Sequence, residues 1–463
     1  MKERIRIHFQ GVKKKFDPES KNLFKNSSWV TLANGLGTLY AFLKMIVITR
    51  VLGAELFGTY TLAVAFILTT QEFFRLNISM GLIRFGALYN KEGRKDKIVS
   101  VIKFSLLLST FSAVVSILFL AGFTLLSYET FIKAPGLSAY VIAFAFANAL
   151  TFLDAIAKAS LKLFYKFRLN SIIQMIMDTL EAIIVILTLW IYGADLEAFF
   201  TAAITARILN SMVCNFSAYR EIMADLKPHL AARTSLIRDQ YREFFKYIFG
   251  NSLSSTLKVF MNQGDVLLLG HFSTTSEVGF YSTAKKLAYS VLTLTDPLAN
   301  SIFPQLSHLI AAKDYTKIMV MLKKVSRIML LPALLILAGS IVVRNQLITG
   351  LFGSEFLPAA SPFIILLAGA LQGALFFWAL PLIQSMGLIK KRFLVYLSAI
   401  LIGATLSVLL IPTFQASGAA IGLLSANLYI TFRFVSAGVR TLNQGRNSVK
   451  ETDDLSSLNP KAR

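Results

Sequence analysis

The stretch Asn262 to Leu287, NQGDVLLLGHFSTTSEVGFYSTAKKL, ends one apolar helix, passes a short Gly-containing turn and starts a second helix that carries Lys285 and Lys286. Upstream, Lys44 to Phe66 reads KMIVITRVLGAELFGTYTLAVAF, again two apolar runs joined through a turn with a Glu and a G-x-Y. Gly58-Thr59-Tyr60 and Gly279-Phe280-Tyr281 lie 221 residues apart in a chain of 463, close to half its length. The chain therefore reads as two copies of one plan.

Composition sets the solvent. The chain is 55% hydrophobic with 38 Phe and only 16% charged residues, and its mean hydropathy is +0.62. An ordinary soluble domain carries about 25% charged residues. Long, almost uncharged runs such as Val101 to Leu126 recur, and lipid is a simpler solvent for them than a very large soluble core. Runs of about 20 residues fall at roughly 27–49, 59–81, 101–125, 138–157, 171–192, 197–217, 248–270, 280–302, 325–343, 360–382, 394–411 and 417–439, which predicts twelve membrane spans.

The net charge of +22 tests that count through its distribution. Basic residues collect in alternate connections: Arg94, Lys95 and Lys97; Lys158, Lys162 and Lys166; Arg233, Arg238 and Arg242; Lys313 and Lys317; Lys390, Lys391 and Arg392. The connections between them hold only Arg50, Lys133 and Arg344. The excess of Lys and Arg on the cytoplasmic side of membrane proteins then places both termini in the cytoplasm and makes the span number even. It also removes nucleic acid as the reason for the charge.

The expected organisation is a basic cytoplasmic segment over 1–26, either lying on the membrane surface or forming a disordered basic tail, a first six-helix lobe over 27–218, a linker over 219–247 containing Pro228, a second lobe over 248–440 and a cytoplasmic tail over 441–463. The first residues lack the apolar core of a signal peptide. Because each half starts on the same side, the repeats are parallel, related by an axis along the membrane normal. The single Cys214 excludes an internal disulfide, and His8, His229, His271 and His308 lack ligand spacing, so neither a metal nor another cofactor is expected.

Several short segments, in order, resemble the oligosaccharide flippases of the multidrug/oligosaccharidyl-lipid/polysaccharide exporter superfamily. They are Arg50 to Tyr60 (RVLGAELFGTY), Asp265 to Leu269 running on through Glu277-Val278-Gly279-Phe280-Tyr281 to Ala284, Phe303-Pro304, Leu351-Phe352-Gly353 with Phe356, and Gly418 to Gly422 (GAAIG). The resemblance implies an all-α polytopic protein with two six-helix lobes around a central cavity. It further implies that a polyprenyl-pyrophosphate-linked oligosaccharide, of the O-antigen or teichuronic type, moves outward across the bacterial inner membrane for surface polysaccharide or lipopolysaccharide synthesis.

Ionisable groups inside spans are costly and normally face a wet cavity or pair with one another. The repeat sorts them: an offset of 221 places Lys44 opposite Asp265 and Arg75 opposite Asp296. Lys44 lies about 9 Å from the outer boundary near Arg50, and Arg75 about 22 Å in from Tyr60. The sequence thus suggests an outer gate, Lys44 with Asp265, and an inner one, Arg75 with Asp296. Permanent structural pairs, or a local Glu72–Arg75 pair three residues apart, are the alternatives. Lys258, near mid-span with no partner at helical spacing, is expected to meet a pyrophosphate, with Arg207, Lys285 and Lys286 adding to the field. Snorkelling to the interface would serve Lys285 and Lys286 equally. Asp154 and Lys158, four apart, read as a helix pair. Asp178 and Glu181 share a face of the fifth span, where a coupling cation, H+ or Na+, could be held, although solvation by a cavity is the simpler account.

Two rivals remain at this level. A cation-coupled multidrug exporter of the same superfamily would want an acidic, aromatic cavity, whereas the mid-span charges lean basic. A membrane polysaccharide polymerase or ligase would need a large external loop, and no outer connection is much longer than about a dozen residues. No nucleophile or nucleotide motif appears, so the expected activity is transport rather than catalysis, with membrane lipids and polysaccharide polymerase machinery as neighbours.

Overall fold

A computed structural model describes residues 18–132 and 136–458, and every described element is helical. The helices are α1 (Pro18–Phe74), α2 (Ile78–Lys91), α3 (Lys95–Ile132), α4 (Ser138–Ala149), α5 (Thr151–Leu163), α6 (Phe167–Tyr192), α7 (Leu196–Leu226), α8 (Tyr241–Phe272), α9 (Thr275–Tyr289), α10 (Asp296–Ala311), α11 (Tyr315–Phe352), α12 (Ala360–Leu375), α13 (Ala379–Ser385) and α14 (Ile389–Leu458). The surface segment expected over 1–26 falls largely outside the described residues.

Eight described stretches are long and apolar enough to cross a bilayer. Two of them hold two legs each: Gly35–Phe74 is divided by Gly53 (φ 71°) and Lys390–Asn447 by Gln415 (φ 49°). The two remaining expected spans fall on α8 and on α9 with α10, where charges and amides dilute the apolar pattern and a 3-10 turn, Ser290–Leu294, interrupts the second. The apolar exterior is what lipid requires: Trp190 is 82% exposed and Val342 77%.

Helices α1 to α7 pack together, with α1 on α6 and α3, α2 on α3 and α5, and α7 on α5 and α6. Helices α8 to α14 form a second group, with α14 on α8 and α12, α12 on α9 and α11, and α10 on α13. The two groups meet chiefly where α1 crosses α9 and α8.

The glycine echo in the sequence is this crossing. A Cβ on Gly58 would overlap the carbonyl of Thr275, and a Cβ on Gly279 would overlap that of Ala54. Ala54 and Thr275 are themselves 221 residues apart, as are the two glycines. The contact is therefore reciprocal, each repeat offering the same glycine to the same site on the other, the signature of a two-fold relation. Only glycine lets the two backbones approach this closely. A similar approach joins the legs of α14, where a Cβ on Gly422 would run into Ser407 and one on Gly418 into the carbonyl of Leu410.

The core reports how the groups diverge. At the face carrying the Gly53 turn, one cluster includes Phe57 and Ile67 from the first group and Leu269, Tyr281, Phe352 and Phe363 from the second. Toward the face carrying the basic connections the core splits. Leu82, Phe85 and Phe104 pack with Phe244 and Ile248 of the entering end of α8, while Leu306, Ile318, Trp378 and Phe434 form a separate cluster. The core is thus one cluster shared by both groups at the turn face and two clusters at the basic face, the first of them holding the entering end of α8 against α2 and α3.

Candidate functional site

The α1–α9 crossing aims charged side chains into the space between the groups. Lys44 on α1 forms an ion pair with Glu181 on α6. Glu181 also lies within Coulombic reach of Arg207 on α7 and of Lys286 on α9, so cations from both groups act on one carboxylate. Lys286 is exposed, with its ammonium 5.8 Å from the centre of the Phe57 ring. Among the described residues neither Lys286 nor Arg207 has an ion-pair partner. Asp178, one turn from Glu181, faces Gly37, where a Cβ would come 2.8 Å from its carboxylate.

Lys285, next in sequence to Lys286, turns the other way. Its Nζ donates to Asp265 at 2.6 Å and to the carbonyl of Asn262 at 2.7 Å, and Tyr281 donates to the same carboxylate oxygen of Asp265. The Asp265 side chain is only 7% exposed and that of Lys285 16%. These two form a closed structural pair inside the second group.

Neither expected gate pair is in contact in this conformation. Lys44 and Asp265 are equivalent by the offset of 221, yet each satisfies its charge within its own group, Lys44 on Glu181 and Asp265 on Lys285. Arg75 and Asp296 are likewise equivalent, Arg75 just after α1 and Asp296 opening α10. Arg75 donates instead to Thr151 and stacks 4.7 Å over Phe152, and Asp296 is exposed. Asp154 accepts from Ser211 at 2.6 Å and Asn215 at 2.7 Å on α7 rather than pairing with Lys158. Repeat equivalence identifies places of equal depth; it does not make them touch, because a two-fold axis brings together i with j and j with i.

What closes the turn face was invisible as a charge pattern inside spans. Arg50 reaches from the first group to the end of α11, donating from Nε to the carbonyl of Leu351 at 2.8 Å and from Nη2 to that of Gly350. Glu355 returns the contact, accepting from the N–H of Ala54 at 2.8 Å. The cation thus sits at a helix C-terminus and the anion at a helix N-terminus, the favourable ends of both dipoles. Glu277 treats Ala416 similarly, at 3.1 Å, but within the second group.

Toward the basic face, Gln71, Glu72 and Arg75 of the first group and Asn148 of α4 meet Val259, Asn262 and Gln263 of α8 around a cavity of about 160 Å³. Asn148 donates to Gln71 at 2.6 Å and Gln71 to the carbonyl of Ala145 at 2.8 Å. Lys258 is exposed on α8 beside this cavity without lining it. Sequence reasoning passed over these amides because it weighed only ionisable groups; a Gln inside an apolar span at position 71 was the available signal.

Comparison with known proteins places this architecture. Residues 23–310 match the family model described as polysaccharide biosynthesis protein. A Shigella flexneri protein named for O-antigen transport is 24% identical over 416 residues, covering 86% of this chain and 94% of its own length. An inward-facing multidrug resistance MATE transporter of the MOP superfamily shares the fold with a TM-score of 0.71 at 13% identity, over 89% of this chain and 96% of that one. The lipid II flippase MurJ, in an inward closed conformation, does so with a TM-score of 0.65 at 14% identity, over 89% and 87%. The chain belongs to the polysaccharide biosynthesis protein family.

Proposed function

We propose that this protein is a flippase for polyprenyl-pyrophosphate-linked sugar units, working between a cavity open to the cytoplasm and one open to the outside. The two unneutralised cations, Arg207 and Lys286, beside the Lys44–Glu181 pair support this most directly. Cations that face a cavity without an ion-pair partner of their own favour an incoming anion, and a pyrophosphate offers several acceptor oxygens to ammonium and guanidinium donors. A cationic drug would meet repulsion at the same place. The headgroup would pass through this wet interior while its lipid tail stays in the bilayer.

Sidedness in this reading comes from the basic connections, whose face would lie toward the cytoplasm under the positive-inside rule. With the turn face held by Arg50 and Glu355, loading in this reading would take place from the cytoplasmic leaflet. Alternating access in parallel-repeat transporters proceeds by rocking one group on the other, and here the pivot would be the Gly58–Gly279 crossing.

Reconstituted vesicles carrying a fluorescent polyprenyl-pyrophosphate sugar test this. Leaflet exchange should require the protein and fall on the order of tenfold or more in Lys286→Gln and Arg207→Gln, the worth of a charge-assisted hydrogen bond. Efflux of cationic dyes without exchange of the labelled lipid would instead favour the drug-exporter reading.

A further inference from the structure

We propose that the amide-lined cavity beside Arg75 is a binding site for an uncharged sugar ring of the headgroup, and that it sets which sugar unit is accepted. This rests on the flippase reading above. Six of the eight side chains around the cavity are polar: Gln71, Glu72, Arg75, Asn148, Asn262 and Gln263. Four are carboxamides, each able to donate and accept, which suits hydroxyl and acetamido groups better than it suits phosphate. Glu72 and Arg75 cancel in formal charge, so the cavity lacks the cationic excess found around Glu181.

Hydrogen-bonding capacity is left over at this place. Gln71 and Asn148 are almost fully buried and fixed to one another, with one amide N–H of each uncommitted among the described residues. Arg75 is anchored through Nη2 on Thr151, while its Nε is buried without an acceptor. Asn262 engages Lys285 through its backbone carbonyl, and among the described residues the side chains of Asn262 and Gln263 form no hydrogen bond. Unused polar groups in a membrane interior are costly, and a ligand rich in hydroxyl groups would satisfy them.

Position supports the assignment. Gln71 lies about 16 Å along α1 from Tyr60, which is level with the cation cluster. Arg207 bridges the interval, within Coulombic reach of both Glu181 and Arg75. A headgroup with its pyrophosphate among the cations would therefore extend its sugars toward the amides. The walls come from both helix groups, so a sugar of the wrong shape would be sensed by the same contacts that rock.

The test uses the full chain in detergent and two synthetic lipids, polyprenyl pyrophosphate with and without one N-acetylhexosamine. The unaltered protein should prefer the glycosylated lipid about tenfold, the net worth of roughly two hydrogen bonds. The double variant Asn262→Ala with Gln263→Ala should lose that preference, bind the bare lipid unchanged and keep its melting temperature. Preference surviving in the double variant overturns the sugar site. Equal binding of both lipids by the unaltered protein overturns it too, while leaving the flippase reading intact; binding of neither lipid removes both. Competition by free N-acetylhexosamine at the same concentration would detach the cavity from the lipid-linked substrate and so also overturn the proposal.

Discussion

Lys285 and Lys286 show how one residue step on a helix separates two jobs. With 3.6 residues per turn, neighbours point about 100° apart. Lys285 meets Asp265 and the Asn262 carbonyl, while Lys286 looks across to Phe57 and Glu181 on the first group. Replacing Lys285 with Gln leaves a buried carboxylate with only Tyr281 and the neighbouring N–H of Val266 for company. Breaking such a pair from one side costs about 3 kcal/mol, so this variant should melt well below the parent in detergent. Replacing Lys286 with Gln removes no structural partner. Its melting temperature should match the parent while affinity for a polyprenyl-pyrophosphate probe falls on the order of tenfold or more. Equal melting of the two variants would contradict the division of labour.

In the alternating-access reading, the hairpins at the turn face are the elements that part for outward opening. Arg50 and Glu355 join the two groups there, whereas Glu277 ties two hairpins of the same group. Removing Arg50 or Glu355 should therefore loosen closure, and removing Glu277 should not. A hydrogen bond to a charged group is worth about 1.5–3 kcal/mol, so Arg50→Ala or Glu355→Ala should raise the outward-open population on the order of tenfold. A cysteine placed at Thr59, now buried beside the crossing, reports this in a Cys214→Ala background. An impermeant maleimide should label it faster in those two variants and at the parental rate in Glu277→Ala. Gly279→Ala should act in the same direction through steric wedging, since its new methyl would overlap the Ala54 carbonyl.

The contrast between what could and could not be read in advance is clearest at this scale. The 221-residue offset exposed Gly58 with Gly279 and Lys44 with Asp265, because a repeated local plan leaves a repeated local pattern. Partner choice left no such trace. Glu181 is 137 residues from Lys44 and Glu355 is 301 residues from Ala54, and neither lies at an offset that the repeat or helical spacing singles out. Which helix faces which is decided by packing, so the carboxylate opposite Lys44 had to be seen. Lys44, Arg207 and Lys286 stand out in the sequence as charges within spans; the amide cavity does not, since Asn148 and Gln263 join it from opposite groups.

At the scale of the whole molecule, charge bears on energy supply. In the proposed cycle, two cations that have no ion-pair partner among the described residues would move with the protein, and a bound pyrophosphate would offset their charge. An outward-moving anion gains roughly 2.3 kcal/mol per net charge per 100 mV when the cell interior is negative. If no coupling ion moves with the headgroup, the equilibrium distribution of labelled lipid should shift roughly 50-fold per net charge per 100 mV. In vesicles clamped by a potassium diffusion potential, inside-negative polarity should drive labelled lipid outward and inside-positive polarity should hold it back. A pH gradient at zero potential should leave the distribution unchanged. The opposite result, a response to pH alone that disappears in Glu181→Gln or Asp178→Asn, would assign proton coupling to that carboxylate pair. The neutral substitutions separate the outcomes because Glu181 already faces three cations while Asp178 lies against Gly37 with no ion-pair partner among the described residues. A proton relay would then run through Asp178, and the potential would act only on the returning empty carrier.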